Sequence, residues 1–320
     1  QTATAGVQSG NGQVVISYNL TVVGCGCTDP SAGNYDASAI IDDGSCCYSG
    51  CTDPTADNYD ATACVDDGSC FYCPGVGADT YNYTGNIQTY TVPAGVTSIT
   101  VEAYGAEGGS GGMTPGKGAY IKGDISVNPG DVLDILVGEK GYDASSAGGG
   151  GGGTFVVLQN GNVPLVIAGG GSASTGNSNG HDGEIGEDGG DGDGCAGTGG
   201  TGGNGGGDAD ACGCGAGGGG GFYTDGSSGG CYGYQHGFGY LNGGAGGNSA
   251  TGNAYGGYGG GAGTHSNNTG GGAGGGYSGG GAPYHGNGYS GGGGGSYNAG
   301  SNQTATAGVQ SGNGQVVISY

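Results

Sequence analysis

The sequence predicts an all-β protein with three kinds of building block: a β-sandwich, a large insert of packed polyglycine-II-type helices, and a small disulfide-rich module dominated by loops. Three observations carry this. Short β-branched and aromatic runs broken by Gly, Pro and Asn turns recur between residues 81 and 168. Glycine supplies 94 of the 320 residues, and long stretches place it at every third position. The 12 cysteines cluster at short spacings, many of them within a tandem duplication.

The first segment, residues 1–18, reads QTATAGVQSGNGQVVISY, and the same eighteen letters return at Gln303–Tyr320, a repeat with a period of 302 residues. In each copy a Gly-Asn-Gly turn precedes a β-branched run (Val15, Ile16 and Tyr18 in the first), which reads as a strand. Residues 1–18 are therefore expected to be the closing strand of a preceding unit in a tandem array, or a donor strand that completes a neighbouring molecule. Both readings predict assembly. Covalent continuity is preferred, because a unit that owns the same strand needs no donor.

A linker, residues 19–26, leads to the disulfide-rich module at 27–74. There CTDPSAGNYDASAIIDDGSC (27–46) and CTDPTADNYDATACVDDGSC (51–70) stand in register at a spacing of 24. Neither is long enough to bury a core, so cross-links or bound ions must hold it. Cys25, Cys27, Cys46, Cys47, Cys51, Cys64, Cys70 and Cys73 are the disulfide candidates here. The first repeat offers Asp29, Asn34, Asp36, Asp42 and Asp43, and the second Asp53, Asn58, Asp60, Asp66 and Asp67, which suits the oxygen-rich shell of calcium. The same residues also make turns without any ion.

Residues 75–168 carry the sandwich. Alternating segments at 87–92 and 98–104 flank a Pro-Ala-Gly turn; strands follow near 119–127 and 132–137 around Asn-Pro-Gly-Asp; a hairpin at 155–158 and 165–168 turns at 159–162. Residues 169–300 have almost no aliphatic side chains. Composition alone fits a flexible linker as well as a folded arm. Spacing favours the arm: Gly180, Gly183, Gly186, Gly189 and Gly192 recur every third residue, and after a phase slip so do Gly194, Gly197, Gly200, Gly203 and Gly206. Helices of this period, lacking Cβ atoms, can approach until each backbone hydrogen-bonds its neighbours. Cys195, Cys212, Cys214 and Cys231 are candidate staples for them. Residues 301–320 are expected to return to the sandwich as its closing strand.

A formal charge of −23, with only Lys117, Lys122 and Lys140 as basic side chains, argues against nucleic acid and against anionic membranes as partners. The even cysteine count argues for an exported protein. No apolar run approaches the roughly 20 residues that span a bilayer.

The stretches YTGNIQTYTVPAGVTSITVEAYGAEGG, KGAYIKGDISVNPGDVLDILVG, PLVIAGGG and SGNGQVVISY resemble the glycine-rich domain family found in the extracellular part of the anaplastic lymphoma kinase receptor. The resemblance covers roughly residues 81–320 and implies a jelly-roll-like β-sandwich with a long insert of packed glycine helices. The kinase and membrane span of that receptor have no counterpart here. The paired CTDP…NYD…DDGSC units resemble short repeats of secreted surface proteins of Bacteroidota, where such repeats are taken as calcium-binding spacers; Cys64 stands where the first copy has Ile40.

No catalytic site is expected. The GxSxG matches at 276–280 and 288–292 lack the strand and helix that motif needs, and at this glycine content they arise by chance. His181, His236, His265 and His285 stand singly, without zinc spacing. The acidic run from His181 to Gly194 reads as a solvated edge. Asn19, Asn82, Asn267 and Asn302 open Asn-x-Thr sequons, candidate acceptors for glycans. Among the arm's tyrosines, Tyr223, Tyr232, Tyr234, Tyr255, Tyr258, Tyr277, Tyr284 and Tyr289 can seat the lattice on the sandwich or contact sugars and partner subunits. The expected function is the structural repeating unit of an extracellular filament or giant surface adhesin whose partners are copies of itself. The alternative is an extracellular binding module that uses the arm and its tyrosines.

Overall fold

The computed structural model describes residues 24–54, 56–71, 77–194, 197–208, 216–228, 235–249, 254–264, 270–286 and 288–320. The first copy of the duplicated segment, Asn19, Asn267, His265, Tyr232, Tyr234, Cys73, Cys195, Cys212, Cys214 and Cys231 lie outside the described residues. The chain divides into two compact units, Gln1–Cys73 and Pro74–Tyr320.

In the first unit, β1 (Cys25–Gly26) pairs in parallel with β2 (Ile41–Asp42), and β3 (Tyr48–Gly50) pairs in parallel with β4 (Ala63–Asp66). These pairs are equivalent positions of the two repeats. Little is buried besides Cys27, Ala32, Cys51 and Ala56.

The second unit is an all-β sandwich. One five-stranded sheet has the order β12–β11–β10–β9–β6, formed by Tyr297–Asn298, Val163–Ala168, Thr154–Leu158, Val132–Leu136 and Gln88–Thr91. The other has the order β13–β8–β7–β14–β5, formed by Ser301–Gln310, Gly118–Ser126, Ser98–Tyr104, Gln315–Ser319 and Ala78–Asn82. Every pairing within these two sheets is antiparallel. Ile99, Val101, Ala103, Ile121, Ile125, Val316 and Ile318 from the second sheet meet Leu133, Ile135, Val156, Val166 and Ala168 from the first in one core.

The two sheets differ in their outer faces. β7 and β14 alternate buried and half-buried residues, the pattern of a sheet covered on one side. β10 is buried almost throughout, because Val156 points into the sandwich while Phe155 and Val157 belong to a second apolar cluster. That cluster joins Leu136 and Ile167 to Phe222, Tyr240 and Tyr277 of the glycine-rich arm. A ladder of rings runs through it: Phe155 lies 5.2 Å from Tyr240, Tyr240 lies 5.1 Å from Phe222, and Tyr277 lies 4.6 Å from Tyr297. The continuous apolar runs TFVVL and VPLVIA thus serve two cores at once.

The arm is a hydrogen-bonded lattice with a period of three. The amides of Gly148 and Gly151 donate to Ser174 and Gly171, those of Gly149 and Gly152 to Tyr142 and Glu139, and those of Gly150 and Gly153 to Ala262 and Gly259, all at 2.8–3.1 Å. Each third residue therefore faces the same neighbour, and each of these helices is tied to several others. A second helix repeats the pattern: Gly217 and Gly220 donate to Gly263 and Gly260, Gly218 and Gly221 to Ser227 and Thr224, and Gly219 and Phe222 to Gly280 and Tyr277. The backbone bonds that an isolated helix of this kind leaves to water are made inside the protein. Absence of Cβ atoms is what permits it: a Cβ on Gly150 would fall inside the carbonyl group of Ala273.

Two expectations are amended. The lattice is not confined to residues 169–300, since 105–112 and 138–153, within the segment assigned to the sandwich, supply helices to it. Residues 301–320 form two strands, not one. β13 pairs with β8 and β14 pairs with β7, on opposite sides of the β7–β8 hairpin. Residues 311–314 cross over between them, with Gly312 at φ 76°.

Candidate functional site

The features that could carry function are the cysteine-rich repeats, the closing segment and the surface of the lattice. The repeats are duplicates down to single hydrogen bonds. Asn34 Nδ2 donates to the Ser45 carbonyl at 2.6 Å and Asn58 Nδ2 to that of Ser69 at 2.7 Å. The Cys47 amide donates to Asn34 Oδ1 at 2.8 Å and the Phe71 amide to Asn58 Oδ1 at 2.9 Å. Disulfides close each repeat, Cys27–Cys46 and Cys51–Cys70, and Cys47–Cys64 joins one repeat to the other. Cys64, where the first copy has Ile40, is therefore the residue that couples them. Cys25 is exposed, in β1.

The carboxylates close turns. Asp36 Oδ1 accepts from the amide and hydroxyl of Ser38, Asp60 Oδ1 from those of Thr62, and Asp29 Oδ1 from those of Ser31, while Tyr48 donates its hydroxyl to Asp29 Oδ2 at 2.8 Å. Asp42 and Asp66 accept from the amides of Gly44 and Gly68, and Asp43 and Asp67 from those of Ser45 and Ser69. The hydroxyls of Ser38, Thr62, Ser45 and Ser69, followed by their amides, hold Asp36, Asp60, Asp43 and Asp67 below the ordinary aspartate value of 3.8. These turns use Oδ1. Among the described residues no three His, Cys, Asp or Glu side chains converge as a metal-binding group.

The closing segment is built into the sandwich. β14 is hydrogen-bonded on both sides, Gln315–Ser319 facing Tyr104–Thr100 of β7 and Asn82–Ala78 of β5, with Val316 and Ile318 fully buried. Of the sequons described, Asn82 is exposed on β5 and Asn302 is exposed at the start of β13, where its Nδ2 donates to Asp124 Oδ2 at 2.8 Å.

The arm's tyrosines divide. Tyr277 is buried in the second cluster and Tyr258 packs against that cluster, whereas Tyr223, Tyr255 and Tyr289 are exposed. Tyr240, absent from the sequence-level candidates, is the ring at the centre of the ladder; its place in a single 3₁₀ turn, Tyr240–Asn242, left no periodic signal. The serines of the two GxSxG matches, Ser278 and Ser290, are fully buried, and Ser278 Oγ accepts from the Gly203 amide at 3.1 Å. In the acidic run, His181 lies 3.0 Å from Asp193, and Asp182 caps the Lys117 amide at 2.8 Å.

No protein-family model matches this chain, and no curated protein matches it. Disulfides, and among the described residues no helix long and apolar enough to cross a membrane, are compatible with a secreted or extracellular protein.

Proposed function

We propose that this chain is the structural repeating unit of an extracellular filament or giant surface adhesin, joined head to tail through the duplicated segment. The observation that carries the reading is the fit of residues 303–320 into their own sandwich: β14 is an interior strand, and Val316 and Ile318 are sealed in the core. One sandwich has one such slot, and the chain has two identical copies of the segment that fills it. Exchange between separate chains leaves as many surplus copies as before, so it gains no contacts and gives up the proximity of the attached strand. A covalent array uses every copy once. In such an array the closing strands of one unit run on through residues 19–26 into the next unit's cysteine-rich joint.

The lattice suits such a unit chemically, since the amides of its described helices, as at Gly148–Gly153 and Gly217–Phe222, bond within the protein. Calcium at the joints belongs to the same proposal, with Asp29, Asn34, Asp36, Asp42 and Asp43 and their partners in the second repeat as ligands. A binding module is the second reading, favoured by the exposed Tyr223, Tyr255 and Tyr289.

The mass of native material after reduction and denaturation separates the two. A ladder stepping by one 302-residue unit, or a species of many units, supports the repeating unit. A single species near 29.9 kDa that binds a defined sugar saturably overturns it.

A further inference from the structure

We propose that Asn160 deamidates spontaneously by closing a succinimide with Gly161, which places aspartate and isoaspartate at the tip of the hairpin joining β10 and β11. Both residues are exposed. The Asn162 amide donates to the Gln159 carbonyl at 3.4 Å and closes a four-residue turn, with Gly161 at φ 86° in its third position. Such a bond joins the first and last residues of a turn and leaves the amide between the two central residues, here that of Gly161, to water. The Asn160 carboxamide has no partner in the protein either. The nucleophile and the group it attacks are thus neighbours in the chain and both free, and glycine has no side chain to shield its nitrogen.

Among the described residues the same dipeptide also begins at Asn179, Asn204, Asn242 and Asn313, and there the fold holds both reacting groups. The amides of Gly180, Gly243 and Gly314 donate to the carbonyls of Thr114, Tyr240 and Gly138 at 2.8–3.0 Å, and that of Gly205 to Thr224 Oγ1 at 2.9 Å. Asn179 Oδ1 and Asn313 Oδ1 accept from the amides of Thr114 and Lys140, while Asn204 Nδ2 and Asn242 Nδ2 donate to the Thr201 carbonyl and to Asp225 Oδ1. Turning the carboxamide onto the next nitrogen breaks two bonds at each of these sites and none at Asn160. In the reaction the Gly161 nitrogen gives up its proton and bonds to Asn160 Cγ, and Nδ2 leaves as ammonia. Water then opens the ring: attack at Cγ gives aspartate, and attack at the backbone carbonyl gives isoaspartate. Either product adds a negative charge, and isoaspartate also lengthens the backbone by one carbon between the paired residues Leu158 and Val163. The reaction needs only the folded hairpin and water, so it is independent of how copies of the chain assemble.

The test is incubation of the folded full chain at neutral pH and physiological temperature, with samples unfolded, digested briefly in acid and mapped by mass spectrometry. Peptides carrying Asn160 should gain the mass of an OH replacing an NH2 and split into two chromatographic forms, one of which accepts a methyl group from an isoaspartyl methyltransferase. Conversion at Asn160 should be at least about tenfold faster than at Asn179, Asn204, Asn242 or Asn313, where two hydrogen bonds must break first. In chain unfolded by urea the five rates should converge, since every such step is then open. Asn160→Gln, which removes no hydrogen bond of the fold, should keep the melting temperature and lose the methyl acceptance of the hairpin peptide. Survival of Asn160 in the folded chain over the time in which unfolded chain converts, or conversion at any of the other four sites as fast as at Asn160, overturns the proposal.

Discussion

Gly150→Ala probes whether the lattice is held by backbone contact or only by its aromatic cover. The Gly150 amide donates to the Ala262 carbonyl at 2.8 Å, and its carbonyl accepts from Gly257 at 2.9 Å. The new Cβ would fall inside the carbonyl of Ala273, which itself accepts from the Ala262 amide at 2.9 Å. Relief requires a displacement of about 1 Å between two helices, enough to stretch bonds of this length beyond hydrogen-bonding distance. Two buried amides left without partners cost about 1–3 kcal/mol each. Against this, alanine lowers the entropy of the unfolded chain by about 0.4–1 kcal/mol. The net expectation is a loss of about 3 kcal/mol, or a melting temperature lower by about 10 °C in a domain of this size. Circular dichroism melts of the variant beside Gly186→Ala measure it. At Gly186 the Cβ finds open space, so that control should change stability by less than about 0.5 kcal/mol. If the two variants melt within about 2 °C of each other, less than a 1 kcal/mol difference, steric exclusion is not what keeps glycine in the lattice.

Four further outcomes are expected. Cys47→Ser with Cys64→Ser opens the cross-link between the repeats, whose separation of 17 residues corresponds to about 3 kcal/mol; urea unfolding without reductant reads the loss. Burial pushes the Tyr90 phenol up to about 12. A raised folded value means that its contribution is intact below pH 10 and fades as pH rises toward 12, so phenolate absorbance should show Tyr90 ionising late, together with unfolding. Asp36, Asp43, Asp60 and Asp67 are held below 3.8, so the stability they contribute is present above that value and should be lost as pH falls below it, read by acid melts of the repeats. Calcium at about 100 times its dissociation constant should raise repeat stability by about 2.7 kcal/mol, and Asp36→Ala with Asp60→Ala should remove the effect; an unchanged melt on adding calcium sinks that part of the proposal.

The strands that alternate cleanly were legible: β7 occupies 98–104 as its pattern requires, and β8 and β9 lie within a residue or so of their β-branched runs. β5 was not, because Ala, Asp and Asn are poor strand formers and ADTYN gains its place by pairing with β14. The splitting of the closing segment was hidden because TATAGVQ and QVVIS are close enough in sequence to read as one element, and only the separation of their partners, β8 and β7, divides them. Period three betrayed the helices of the long arm, while residues 105–112 and 148–153 are too short to show a period and join the lattice by contact alone. The equivalence of the two repeats was plain from their register, but the bond from Cys47 to Cys64 depends on a distance that spacing does not encode.

The pairing of β5 with β14 bears on mechanics. Ala78 faces Ser319, and the Tyr320 amide donates to the Gly77 carbonyl at 3.3 Å, so residues 77 and 320 lie side by side. Tension transmitted through those two points does not shear the five register pairs from Ser319–Ala78 to Gln315–Asn82 in parallel; it peels them open one at a time. Each step breaks bonds worth on the order of 1 kcal/mol each, so the seam yields gently under steady pull. Under the proposed head-to-tail joining, a pull along the chain would open the β5–β14 pairing first, and slack would let it re-form.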